Sequence, residues 1–173
     1  NAEAVKWYRL APEQGDASGQ ANLGTMYDYG EGVAQDYVEA VKWYRLAAEQ
    51  GDALGQNNLG TMYDYGEGVS EDNAEAVKWY RLAADQGDAT GQTNLGWMYQ
   101  FGEGVPEDKA EAVKWYRLAA DQGDATGQTN LGWMYEYGEG VPEDKAEAVK
   151  WYRLAADQGD AMGQAFLGTM YEY

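Results

Sequence analysis

Apolar and polar positions along this chain fall into two helical registers that follow one another in tandem. In the first, Ala40, Trp43, Tyr44 and Ala47 stand at i, i+3, i+4 and i+7, the spacing that gathers side chains on one face of an α-helix. In the second, Ala53, Gln56, Leu59, Gly60, Met62 and Tyr63 carry the same kind of stripe up to Tyr65 and Gly66. Start and stop signals bracket both. Asp36 with Glu39 is an acidic relative of the capping box, repeated as Asp72/Glu75, Asp108/Glu111 and Asp144/Glu147; its oxygens take orphan amide protons of the first turn and suit the helix dipole. Gln50 and Gly51 end the first helix, since glycine adopts the left-handed conformation that closes one. Asp52 then caps the second. A turn that short forces the two helices to pack antiparallel.

The pair recurs without insertion. Trp7, Trp43, Trp79, Trp115 and Trp151 are each 36 residues apart, a period that marks a helical repeat array and overrides any domain count drawn from length. The expected fold is all-α, a solenoid of antiparallel helix pairs over residues 1–173, with units beginning near 1, 37, 73, 109 and 145. The last unit lacks its final loop, so the chain reads as a piece of a longer array. Both ends then expose an apolar repeat face, and end-to-end association of chains is expected. Pro12 replaces the Ala of positions 48, 84, 120 and 156, predicting a kink or early stop in the first helix. Gly55 and Gly60 sit in mid-helix, where glycine costs about 1 kcal/mol relative to Ala, so they predict close helix approach. Gly66-Glu67-Gly68-Val69 lacks the GK[ST] of a phosphate loop and reads as a turn whose Val plugs between helices. Pro106 and Pro142 stiffen the approach to the next cap.

The pattern A-x-x-Q-x-x-LG-x-MY-x-x-G-x-GV, then D-x-x-x-A-x-x-WY-x-x-A-A-x-x-G, resembles the Sel1-like repeat, a relative of the tetratricopeptide repeat, and covers the chain. The resemblance implies a right-handed superhelix whose concave surface is lined by the helices starting at Asp16, Asp52, Asp88, Asp124 and Asp160. It also implies an adaptor or scaffold in protein complexes and a bacterial source. Some cysteine-rich members have been linked to β-lactams, but this chain has no Cys.

Comparison of the units with one another points to a working face. In the second helix the positions that differ are those of 18, 21, 22, 25, 28 and 29, and at about 100° per residue they share one arc of about 120°. Trp97 and Trp133 lie on it in adjacent units. Asn22, Asn58, Asn94 and Asn130 present amides able to donate to and accept from an extended peptide backbone. Leu54, Asn57, Thr61, Gln100 and Glu136 complete the candidate partner-binding set. Asp28, Asp64, Glu136 and Glu172, with Gln100 breaking the row, favour a basic partner or form a solvated rim. The Trp rings packing on the next second helix, and the Asn row bonding between units, remain open as alternatives. The invariant Trp43 series reads as core, and Lys42 and Arg45 as answering Glu39 and Glu49 on the outer surface.

Composition narrows the chemistry. The 173 residues include 12 Lys+Arg against 30 Asp+Glu, with no His and no Cys, for a formal net charge of -18. That excludes thiol and imidazole catalysis and the usual zinc or copper sites, and so acidic a chain repels the phosphates of nucleic acid. No apolar run reaches the roughly 18 to 20 residues of a membrane span, so a soluble protein is expected, cytoplasmic or exported to the periplasm. No cofactor, metal or catalytic set is expected. The leading expectation is a scaffold that holds a protein or peptide on the variable face. A spacer or self-associating array is the alternative. A carboxylate-dependent hydrolase ranks below both, because every acid recurs with the fold's own period whereas a catalytic site is a unique constellation.

Overall fold

The computed structural model describes residues 15–172 and contains nine helices and no strand among them. Second helices of the repeat are α1 (Ala17–Tyr29), α3 (Ala53–Tyr65), α5 (Ala89–Phe101), α7 (Ala125–Tyr137) and α9 (Ala161–Met170). First helices are α2 (Tyr37–Glu49), α4 (Asn73–Asp85), α6 (Lys109–Asp121) and α8 (Lys145–Asp157). The kink expected at Pro12 lies outside the described residues, as does Trp7.

The boundaries follow from local chemistry. Asp36 accepts from the backbone amides of Val38 and Glu39, and Asp72, Asp108 and Asp144 from those of Glu75, Glu111 and Glu147. Each second helix is capped in the same way, as where Asp124 accepts from the Gly127 amide at 2.6 Å. Capping of this kind satisfies donors that a helix cannot satisfy internally. First helices end as expected, with Gly51 at φ 91° just beyond Gln50, and the second helices α1, α3, α5 and α7 stop on a left-handed glycine such as Gly66 at φ 67°.

By its contacts the chain divides into two compact units, residues 1–86 and 87–173. In the first, α1 packs on α2, α2 on α3 and α3 on α4, and α1 also touches α3. In the second, α5 to α9 pack in the same serial order, and α5, α7 and α9 touch in turn. In both, a second helix packs more extensively on the first helix of the following repeat than the two helices of one repeat pack on each other.

That dominant contact is a tyrosine ring laid on a glycine. A Cβ added to Gly24, Gly60, Gly96 or Gly132 would stand 2.5–2.7 Å from the ring of Tyr44, Tyr80, Tyr116 or Tyr152 respectively. The four tyrosines are fully buried, together with the Leu and Met of the same second helices. Within a repeat, Gly55, Gly127 and Gly163 meet the Cβ of Ala47, Ala119 and Ala155 in the same way, so the mid-helix glycines do serve close approach. Val69 and Val141 pack against core clusters as plugs, and Gly68 lies on the backbone of Tyr37 where no Cβ fits. Glutamines tie repeats further: Gln50 donates to Gln20, Gln86 to Gln56, Gln122 to Gln92 and Gln158 to Gln128, at 2.6–2.8 Å.

On the first helices, Lys42 pairs with Glu39 as expected, at 2.5 Å. Arg45 departs from expectation: it lies over the Tyr63 ring and donates to that hydroxyl at 2.6 Å rather than serving Glu49. A guanidinium gains more from an aromatic face it can stack on than from an exposed carboxylate that water already solvates.

Two glycines in equivalent positions separate packing from helix propensity. Gly132→Ala is expected to cost about 1–3 kcal/mol because the methyl must displace the Tyr152 ring. Gly168, with no atom within 4 Å of an added Cβ, should instead gain up to about 1 kcal/mol as Ala. Urea unfolding of both variants checks the opposite signs.

Candidate functional site

The exposed strip of the second helix is narrower than the variable arc. Positions equivalent to 18, 22, 25 and 29 reach solvent, but the two flanking positions turn inward. Ala21, Asn57, Thr93 and Thr129 are buried to 6% exposure or less. Thr93 and Thr129 each donate to the cap aspartate of the next second helix, Asp124 and Asp160, at 2.9 and 2.8 Å. Asn57, expected on the open face, is instead buried, and its amide donates to the adjacent Asn58 of the same helix at 3.2 Å. Its variation reflects several ways of filling one buried position.

Position 28 is the other correction. Its acids do not stand free on a rim; they accept the hydroxyl protons of the buried tyrosines. Tyr44 donates to Asp28 at 3.0 Å, Tyr80 to Asp64 at 3.1 Å and Tyr152 to Glu136 at 2.7 Å. Gln100 fills the same role with a neutral carbonyl, accepting from Tyr116 at 2.7 Å. Burial pushes all four hydroxyls well above the ordinary tyrosine range. A buried hydroxyl left without an acceptor is costly, which explains why each of these residues keeps one.

In residues 87–173 the strip opens into a cleft of about 230 Å³ lined by three successive second helices. Trp97, Gln100 and Phe101 come from α5, Asn130 and Trp133 from α7, and Met162 and Phe166 from α9. Helical spacing accounts for the aromatic clustering: Trp97 and Phe101 stand at i and i+4 with ring centroids 4.3 Å apart, as do Trp133 and Tyr137 at 4.9 Å. Phe166 leans on the Tyr152 ring at 5.2 Å. Trp97 stays 46% exposed, whereas Trp133 is half-buried and packs against the core of its repeat.

Of the residues singled out in sequence, Trp97, Trp133, Gln100 and Asn130 thus meet in one place. Glu136 lines a neighbouring depression with Tyr137 and Lys145. Asn94 is half-buried on α5. Asn22, Leu54, Asn58 and Thr61 belong to the other unit, where Leu54 is 43% exposed and Thr61 accepts from Tyr80. Phe101, Met162 and Phe166 were absent from the candidate set. Their signal was available, since all three occupy positions 18, 22 and 29 of the variable arc. Among the described residues no cluster of His, Cys, Asp or Glu is arranged to hold a metal, and no helix is long and apolar enough to cross a membrane.

The profile of the Sel1 repeat matches residues 1–16, 17–52, 53–88, 89–124 and 125–160. The chain belongs to the Sel1 repeat family. A protective antigen of uropathogenic Escherichia coli with this fold is 43% identical, with a TM-score of 0.87 over 98% of this chain and 36% of that one. This Sel1 repeat chain therefore spans little more than a third of that antigen. A Sel1 repeat protein from Oxalobacter formigenes is 38% identical, with a TM-score of 0.92 over 98% of this chain and 68% of its own. The cysteine-rich protein B of Helicobacter pylori is 25% identical, with a TM-score of 0.60 over 80% of this chain and 99% of that one. No functionally curated protein matches the sequence. Sel1 repeat proteins act in general as non-enzymatic scaffolds for protein interaction.

Asp28 supplies a test of the tyrosine acceptors. Burial raises its carboxyl above the ordinary range, and the bond from Tyr44 pulls it part of the way back. With the folded value raised, the protonated form contributes stability that is full below the unfolded value and lost as pH rises through the folded one. The acid also stands at the C-terminal end of α1, where the helix dipole disfavours negative charge. Asp28→Asn keeps an acceptor, as Gln100 does, without that loss. It is expected to raise stability near pH 7, with the advantage closing as pH falls to about 3.5, below the usual aspartate value; urea unfolding at the two pH values reads it.

Proposed function

We propose that this Sel1 repeat protein is an interaction scaffold that binds a peptide or an exposed partner segment along its second helices, anchored in the cleft of Trp97, Phe101 and Trp133. The observation that carries the reading is the aromatic lining itself. A protein pays no folding benefit for leaving Trp97, Phe101 and Met162 half in water, and exposed aromatic patches of this kind mark binding surfaces. Buried aromatic anchors supply most of the energy of interfaces. Asn130 adds an amide at the cleft wall able to donate to or accept from a peptide backbone.

The partner segment is basic on its flanks. Residues 87–173 carry 15 acidic and 6 basic side chains, so positive flanks speed association and set orientation. The position-28 carboxylates Asp28, Asp64 and Glu136 keep their charge while accepting from the tyrosine hydroxyls. The reading assigns no catalytic role to any residue, and the other members of the expected set, Asn22, Asn58, Asn94, Leu54 and Thr61, serve as secondary contacts at the equivalent positions of their own second helices.

Affinity capture from the source organism's lysate tests it, comparing the wild type with Trp97→Ala/Trp133→Ala. The expected outcome is loss of a captured protein by the double variant, with helical circular dichroism unchanged and capture by a Leu54→Ala/Thr61→Ala control only weakened. Identical capture by all three versions would overturn the assignment of the cleft.

A further inference from the structure

We infer that the cleft accepts an uncharged, bulky apolar side chain, and that Gln100 is the residue that decides this. The inference rests on the reading of the cleft as a peptide anchor site and names the chemistry of the anchor. None of the side chains that line the cleft is charged. Position 100 is the place where one would otherwise be. Asp28, Asp64, Glu136 and Glu172 occupy the equivalent position in the other repeats, and Gln100 replaces the acid where two tryptophans border one cleft.

The exchange preserves the fold's requirement and changes the site's charge. Tyr116 still finds its acceptor, the Gln100 carbonyl, at 2.7 Å. In the first unit that hydroxyl's counterparts have a second contact, Tyr44 to Thr25 and Tyr80 to Thr61, both at 3.3 Å. Trp97 stands where those threonines do, so the Tyr116 hydroxyl relies on Gln100 and the residue cannot become a plain apolar one without orphaning it. Gln100 is 8% exposed. A carboxylate there would be desolvated against aromatic rings, a cost that a cationic anchor offsets and a neutral one does not.

The surroundings exclude the third possibility. An anionic anchor, whether Asp, Glu, phosphate or a chain terminus, meets the excess of acids in residues 87–173. A cationic anchor gains from the rings but finds no carboxylate in the cleft, and the exposed acids around it are screened over about 8 Å at physiological salt. An aliphatic or aromatic side chain loses no hydration of charge on entering and covers Trp97, Phe101 and Met162. The bound segment thus has a neutral anchor between basic flanks.

Two small probes of one shape measure the preference: 3,3-dimethyl-1-butanol, which is neutral, and choline, its cationic counterpart. Each is titrated into the whole chain while the indole N–H resonances of Trp97 and Trp133, assigned through Trp→Phe variants, are followed by NMR. The wild type is expected to bind the alcohol more tightly, and Gln100→Glu, which keeps an acceptor for Tyr116, to shift the ratio toward choline by about tenfold, or about 1.4 kcal/mol. Tighter binding of choline by the wild type, or a ratio that Gln100→Glu leaves unchanged, would overturn the role of Gln100 while leaving the cleft as a binding site. No saturable shift with either probe would remove the cleft itself, and with it the proposed function. The wild-type comparison stands alone if Gln100→Glu loses its helical circular dichroism.

Discussion

Everything in this protein is arranged around a phenol ring lying flat against a glycine. Tyr44 on Gly24, Tyr80 on Gly60, Tyr116 on Gly96 and Tyr152 on Gly132 bring helices of successive repeats closer than any Cβ permits. The glycine forfeits helix propensity, and the loss is offset because the ring buries its whole face and seals the adjoining Leu and Met side chains. The choice of tyrosine over phenylalanine then creates a second obligation. Its hydroxyl is taken out of water and must donate, which fixes an acceptor at position 28 of the four repeats that a tyrosine follows.

Those two obligations leave little of the second helix free. One side is committed to tyrosine and the glutamine ties, and the position equivalent to 21 is buried in Ala21, Asn57, Thr93 and Thr129, the two threonines donating to the cap aspartate of the next second helix. What remains is a strip of four positions per repeat. In residues 87–173 that strip carries large aromatic and apolar residues from three consecutive second helices, and i, i+4 ring contacts within α5 and α7 support Trp97 and Trp133 there. Those substitutions fall at positions that the fold does not use, and on the proposed reading this is how a family of scaffolds can keep one architecture and vary its partners.

Gln100 belongs to both systems at once. It satisfies the tyrosine of the following first helix and forms part of the cleft wall, so the acceptor that stability requires also sets the charge of the cleft. An acid in that place serves the tyrosine equally, as Glu136 serves Tyr152. The difference is felt by what enters the cleft and in the cost of burying the charge.

The helices, their caps and the antiparallel pairing were legible in the sequence because they depend on local chemistry and a strict 36-residue period. The same comparison of units located Trp97, Trp133 and Asn130 on a shared face, since helical spacing alone decides which residues of one helix are neighbours. It overstated that face by two positions. Asn57 and the acids at 28 vary from repeat to repeat as exposed residues do, but they vary among alternatives that fit one buried contact, and a single helix's periodicity carries no information about the helix packed against it. Arg45 was misassigned for the same reason, its partner Tyr63 being 18 residues away on the next helix. The sequence by itself therefore determined the elements and which side of each is free. Only the tertiary structure decided which of those free positions converge, because a cleft made by three helices exists only once tyrosine-on-glycine packing has set the distance between them.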